Sequence, residues 1–175
     1  MVAVPNGPVV AMVGGGQLAR MTHQAAISLG QGLRVLSVSA EDPAAQVSPD
    51  VLIGSHTDLQ ALRAAAAGAA ALTFDHEHVP TELLYTLVEE GVAVLPPPEA
   101  LVYAQDKLAM RRRLAEIGAP VPRFAEVHTV GDVDAFAAST GRSVVVKTVR
   151  GGYDGRGVVL ADDLRCAREA EKAST

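Results

Sequence analysis

From residue 8 to about residue 95 the chain alternates short β-branched runs with longer stretches of helical period, and this alternation restricts the fold more than any other feature. "VVAMV" (9–13) leads through three glycines into "QLARMTHQAAISLG", whose apolar residues recur at 18, 21, 25 and 29 and stop at Gly30. "LRVLSV" (33–38) and "VLIG" (51–54) read as strands, and "TDLQALRAAAAG" as a helix capped by Thr57 or Asp58. "AALTF" (70–74), the helix "TELLYTLVEEG" and a strand "VAVL" (92–95) complete the series. Strands separated by helices of this length imply βαβ crossovers and a parallel sheet covered on both faces. The fold class expected is α/β, with a Rossmann-like parallel-sheet domain over residues 1–97.

Pro96, Pro97 and Pro98 end the pattern, because a run of prolines joins neither a helix interior nor a central strand. Beyond them come the helical segments "EALVYAQD" and "KLAMRRRLAEIG", the stretch "APVPRFAEV", a helix at 131–139, and two strands, "SVVVKTV" and "GVVLA", around a glycine-rich loop. A last helix is expected from near Asp162, still running at Thr175. Residues 98–175 therefore read as the first part of a second, α+β domain without evident closure.

Hydrophobic residues make up 49% of the chain, enough for a core, and charged residues 20%. A net charge of −5 provides no basic field for nucleic acid or an anionic membrane. Arg111, Arg112 and Arg113 are a local exception, fanned around a helix as a solvated or nucleotide-adjacent face. The single cysteine, Cys166, excludes an internal disulfide framework and fits a reducing compartment. No basic segment precedes an apolar leader, and no apolar run approaches the length of a membrane span. A cytoplasmic protein is expected.

Gly14, Gly16 and Ala19 follow a G-x-G-x-x-A order between a strand and a helix, as a dinucleotide fingerprint requires. The acid that should end the second strand is missing, since "VLSVS" ends in Ser39 and the first acids are Glu41 and Asp42. A phosphate or small-substrate site at that helix N-terminus, or plain close packing of strand and helix, explains the same glycines. In "TFDHEHVP" (73–80), His76 and His78 form an H-x-H pair, a weak metal signal. The same stretch also reads as a polar loop with Glu77 near the next helix N-terminus. His23, His56 and His128 read as isolated, with no role.

"VVVKTVRGGYDGRGVVL" (144–160) places Lys147 in an apolar run and then four glycines within seven residues. A lysine withdrawn from water needs an anion, and such glycines let backbone amides approach one. Alternatively Lys147 lies at a sheet edge with its ammonium in water, beside an ordinary turn. No Walker loop is present, and the glycine loop joins two strands rather than a strand and a helix.

"GGGQLARM" (14–21), "DPAAQV" (42–47), "TFDHEHVP" (73–80), "AQDKLAMRRRLAEIGAPVPRF" (104–124) and "VVVKTVRGGYDGRG" (144–157) occur in one order over nearly the whole chain. Together they resemble the ATP-grasp ligases, and among these the branch that carboxylates an aminoimidazole ribonucleotide in purine biosynthesis. Ala19 stands where that family usually has glycine, and Asp75 where it usually has glutamate. The resemblance implies a pre-ATP-grasp domain followed by the start of an ATP-grasp domain. It implies ATP contacts from Lys107, Lys147, Gly152, Tyr153, Asp154, Gly155, Arg156, Gly157 and Val158. Gly16, Gln17, Leu18, Glu77, Tyr153 and Asp154 would meet the ribonucleotide. ATP and Mg2+, bicarbonate as second substrate, and a homodimer are implied as well. Magnesium carboxylates and the adenine pocket are expected beyond Thr175, so no metal ligand and no general acid or base is assigned within the chain. The rival readings are an NAD(P)-binding oxidoreductase built on Gly14–Ala19, a non-catalytic nucleotide-binding unit using Lys147, and an ATP-grasp ligase for another substrate.

Overall fold

The computed structural model describes residues 7–141, 143–152 and 156–162. Tyr153, Asp154, Gly155, Cys166 and nearly all of the helix expected from Asp162 onward lie outside those residues. The chain divides into two compact units, residues 1–102 and 103–175.

The first unit is built on β1 (Val9–Val13), β2 (Gly32–Ser37), β3 (Val51–Ile53) and β4 (Ala71–Phe74). They form a parallel sheet in the order β3-β2-β1-β4. On the central strand, Met12 stands opposite Val35 of β2 and Thr73 of β4. Side chains alternate across the pleat, so β1 is buried on both sides. Ala11 and Val13 join Leu36, Leu62, Leu72, Leu84 and Leu87 in one core, while Met12 joins Ala19, Ala26, Leu33 and Val35 in the other. Helix α1 (Gln17–Ser28) serves the second core; α2 (Leu59–Ala66) and α3 (Thr81–Glu89) serve the first.

Local chemistry sets the helix ends. Of the two caps considered, Asp58 closes α2, accepting from the Gln60 N–H at 2.8 Å. Arg63 and Glu90 form a two-pronged ion pair from α2 to the end of α3. In α1 the helix is present, but Leu18, Met21 and Leu29, three of the apolar residues whose spacing announces it, are 60, 56 and 71% exposed. The buried face is Ala19, His23 and Ala26, of which the two alanines allow close approach to the sheet. The expected strand "VAVL" is reduced to one parallel bridge, Leu72 with Val94, held by the Leu72 N–H on Ala93 O and the Leu95 N–H on Leu72 O, both 2.9 Å. Pro96 directly follows Leu95 and has no N–H to extend the ladder. Helix α4 (Pro98–Gln105) starts at the third proline, where an N–H is not needed, and its Leu101 completes the first core.

The second unit contains α5 (Lys107–Glu116), α6 (Val130–Thr140) and an antiparallel pair, β5 (Val145–Lys147) with β6 (Val158–Leu160). Thr129 and Asp132 form a reciprocal capping box on α6, which ends at a left-handed Gly141. Val145, Val158, Val159 and Leu160 are 51, 40, 39 and 49% exposed, while Val146 between them is half-buried, so among the described residues the ribbon is only partly covered. No helix among the described residues is long and apolar enough to cross a membrane.

Candidate functional site

Two constellations carry chemistry, one in each unit. In the first, the turn from β1 to α1 is pinned by backbone bonds: Gly14 N–H to Leu36 O at 2.9 Å, Ala44 N–H to Gly15 O at 2.8 Å, and Asp75 N–H to Val13 O at 3.2 Å. Glycine is required here by proximity. A Cβ on Gly14 would stand 1.7 Å from Asp75 Oδ1, and one on Gly15 would stand 1.9 Å from Ser37 Oγ. Gly14 also has φ +123°. The Asp75 carboxylate accepts from the Ala19 N–H at 3.1 Å, and Asp42 accepts from the Ser37 hydroxyl and the Ser39 N–H. The first turn of α1 therefore already holds an anion from its own chain, and side chains fill the space beside the glycines. A pyrophosphate in the dinucleotide position would have to displace them, which weighs against the NAD(P) reading.

A cleft of about 270 Å³ opens at the carboxyl ends of the strands, lined by Gly14–Gly16, Leu36, Val38, Asp42, Gly54 and three histidines. The ring of His56, which follows β3, is 4.9 Å from that of His76 and 6.5 Å from that of His78; the latter two are 5.4 Å apart. His56 was expected to be isolated and is not. Residues 56, 76 and 78 come from two separate strand ends, and only the parallel order brings them together. Burial, then repulsion from His78, holds His56 below the ordinary histidine pKa. Burial lowers His76 further than nearby Asp75 and Glu77 raise it, with His56 and His78 adding repulsion. Among the described residues no three His, Cys, Asp or Glu side chains are arranged to hold a metal ion, and the H-x-H pair gains no third ligand.

Of the residues assigned to the ribonucleotide, Gly16 lines this cleft, whereas Gln17, Leu18 and Glu77 do not. Gln17 and Leu18 form the exposed first turn of α1, and Glu77 is half-buried in the loop from β4 to α3.

In the second unit, the start of α5 is stitched to the glycine loop. Lys107 donates from its backbone N–H to Val149 O at 2.9 Å and from Nζ to Gly151 O at 2.5 Å. Asp106 caps α5 through the Ala109 N–H at 2.8 Å and receives Arg150 Nε at 3.2 Å. Thr148 sits in the neck of the loop: a Cβ on Gly157 would lie 2.7 Å from its Oγ1, and one on Gly152 would lie 2.5 Å from Arg156 O. Both glycines have positive φ, 72° and 68° for 152 and 157. Lys147 pairs with Val158 and is exposed, so its ammonium is in water rather than withdrawn from it. Among the described residues its neighbours on β5 and β6, Val145 and Val158, are exposed as well. The structure brings Lys107 to the loop; Arg156, Gly157 and Val158 form its returning arm. Tyr153, Asp154 and Gly155 lie outside the described residues. Arg112 and Arg113 pair with Glu126 and Glu116 at 2.7 and 3.3 Å on an exposed face.

A parallel α/β sheet whose glycine turn is closed by its own carboxylates, followed by a ribbon with a glycine loop clasped by a helix-borne lysine, defines a distinct class. The chain belongs to the ribonucleotide synthetase preATP-grasp domain family, whose model matches residues 8–105, and an ATP-grasp domain model matches residues 112–175. The N5-carboxyaminoimidazole ribonucleotide synthase of Mycobacterium bovis is 67% identical over 162 residues, covering 93% of this chain and 38% of that protein. The enzyme of the same name from Corynebacterium ammoniagenes is 53% identical, covering 89% of this chain and 38% of its own length. This chain thus spans about two fifths of these relatives. Among solved structures, N5-carboxyaminoimidazole synthetase from Staphylococcus aureus complexed with ADP superposes with a TM-score of 0.82 at 29% identity, over 94% of this chain and 44% of that one. The Aspergillus clavatus synthase in complex with ADP and 5-aminoimidazole ribonucleotide gives 0.75 at 28%, over 95% and 44%. The α/β class and the order of a pre-ATP-grasp sheet before an ATP-grasp segment, both read from the sequence, hold.

Proposed function

We propose that this chain forms the amino-terminal part of an ATP-grasp C–N ligase that carboxylates the amine of 5-aminoimidazole ribonucleotide with bicarbonate. ATP is converted to ADP and phosphate, and the product is N5-carboxyaminoimidazole ribonucleotide of purine biosynthesis. The observation that carries the reading is the 67% identity to a synthase of that name across 93% of the chain. The second-unit geometry supports it: a lysine clasping a loop whose neck only glycine fits is suited to closing backbone amides over phosphates.

On this reading bicarbonate, a poor electrophile, is activated by phosphorylation to carboxyphosphate, and the amine attacks that intermediate. Lys107 and Lys147 offset phosphate charge, with Gly152, Tyr153, Asp154, Gly155, Arg156, Gly157 and Val158 as the covering loop. Gly16, Gln17, Leu18 and Glu77, with Tyr153 and Asp154 from the loop, orient the ribonucleotide so that its amine meets the activated carboxyl group. Magnesium supplies further charge neutralisation in such ligases. Since the described residues hold no three-ligand group, no step is assigned to the ion on this chain. A cytoplasmic homodimer completes the proposal.

Lys147→Ala in a full-length protein carrying this sequence tests it. Loss of one phosphate-facing cation is expected to lower ATP turnover at least about a hundredfold. An unchanged rate at saturating ribonucleotide and bicarbonate removes Lys147 from the nucleotide site.

A further inference from the structure

The consecutive arginines Arg111, Arg112 and Arg113 have no part in the reaction proposed above, and the structure gives them unlike surroundings. Arg112 and Arg113 are more than half exposed, and each reaches a carboxylate, Glu126 at 2.7 Å and Glu116 at 3.3 Å. Arg111 is half-buried, and among the described residues its guanidinium meets no acid and no other hydrogen-bond acceptor. A guanidinium partly withdrawn from water with its donors unmatched suits an anion that is not part of the chain. We propose that Arg111 is a third cation of the nucleotide site, donating to the phosphate chain of ATP beside Lys107. The inference rests on the nucleotide role proposed above for Lys107 and the glycine loop.

Helical geometry supports the placement. Residues four apart are neighbours on a helix surface, about 5–6 Å between Cβ atoms, so Arg111 shares the face of Lys107. Helical side chains also lean toward the N-terminus, which turns Arg111 back toward the turn that carries Lys107. That turn is the one fastened to the glycine loop: the Lys107 N–H donates to Val149 O, Lys107 Nζ reaches Gly151 O, and Asp106 bridges antiparallel to Arg150. Met110, Arg111 and Leu114 continue the half-buried side of α5, whereas Arg112, Arg113, Ala115 and Glu116 are exposed. The acids on this helix or paired with it are engaged elsewhere. Asp106 accepts from the Ala109 N–H and Arg150, Glu116 from Arg113, and Glu126 from Arg112. An ammonium acts as a point charge, while a planar guanidinium holds two oxygens at once, so the pair can span neighbouring phosphates that one lysine cannot.

A full-length protein carrying this sequence supplies the test. Arg111→Met keeps an apolar stem and removes the charge, and it is expected to raise the KM for ATP and the Kd for ADP by about ten- to a hundredfold. The KM for the ribonucleotide and the midpoint of urea unfolding should stay as in the wild type, and Arg111→Lys should recover part of the loss. Arg112→Met, on the exposed face, should leave nucleotide affinity unchanged. Lys107→Met, measured in parallel, separates this inference from the role on which it rests. Weakened ATP binding in Lys107→Met with normal binding in Arg111→Met overturns the assignment of Arg111 and leaves the nucleotide role of Lys107 standing; normal binding in both overturns both. A loss in Arg111→Met that falls equally on the ribonucleotide, or that comes with a lower unfolding midpoint, makes Arg111 a packing residue and overturns the proposal as well.

Discussion

The backbone N–H of Ala19 donates to Oδ2 of Asp75 at 3.1 Å, across 56 positions of sequence, so the end of β4 supplies the anion for the first turn of α1. A cap of this kind satisfies an otherwise unpaired donor and complements the helix dipole. Asp75→Ala is expected to cost about 1–2 kcal/mol, read as a lower midpoint in urea unfolding, with Asp75→Asn recovering part of it through its remaining acceptor. Equal midpoints for all three proteins would show that the contact contributes nothing.

Gly14→Ala should be far more damaging. The new methyl would lie 1.7 Å from Asp75 Oδ1 at a backbone φ of +123°, so both the turn and the cap must move. A loss of at least about 3 kcal/mol is expected. Pairing the substitution with Asp75→Ala should recover part of the loss; strict additivity of the two would mean the steric conflict is not with that carboxylate.

The histidine cleft makes the first unit sensitive to acid. His56 and His76 have folded pKa values below the ordinary 6.5, so the unfolded chain takes up protons at a pH where the folded chain resists them. The contribution of these two histidines to stability is therefore undiminished above about pH 6.5 and is lost as the pH drops from there toward the folded values. Unfolding of the wild type at about pH 7.5 and about pH 5.5 should show this difference, and His56→Asn with His76→Asn should shrink it. Identical pH dependence in wild type and double variant would move the sensitivity elsewhere.

Glu77→Gln in a full-length protein should act on the ribonucleotide, raising its KM or lowering kcat while ATP affinity stays unchanged. A fall in ATP affinity alone would place Glu77 in the wrong site.

The strands were legible because β-branched runs such as "VVAMV" and "LRVLSV" carry their own signal, and parallel order followed from the helices between them. The phase of α1 was not legible. Large apolar residues usually mark the buried face, yet here Ala19 and Ala26 face the sheet, and Leu18 and Met21 face outward. The fifth strand failed because its end coincides with the prolines. At the site, Lys107 and the glycine loop were readable as residue types in a linear string. The Asp75 cap and the partnership of His56 with His76 and His78 were not, since each depends on which strand ends become neighbours.

Lys107 rests on a neutral carbonyl, Gly151 O, a weaker partner for an ammonium than any phosphate. On the proposed nucleotide role, capture of ATP and release of this clasp are a single exchange of partners, and the two equilibria are bound by reciprocity. On that role, whatever tightens the clasp weakens nucleotide binding by up to the same factor, and nucleotide loosens the clasp in return. The ion pair of Asp106 with Arg150, on the residues beside both partners, is then a dial on nucleotide affinity set from outside the nucleotide's own contacts.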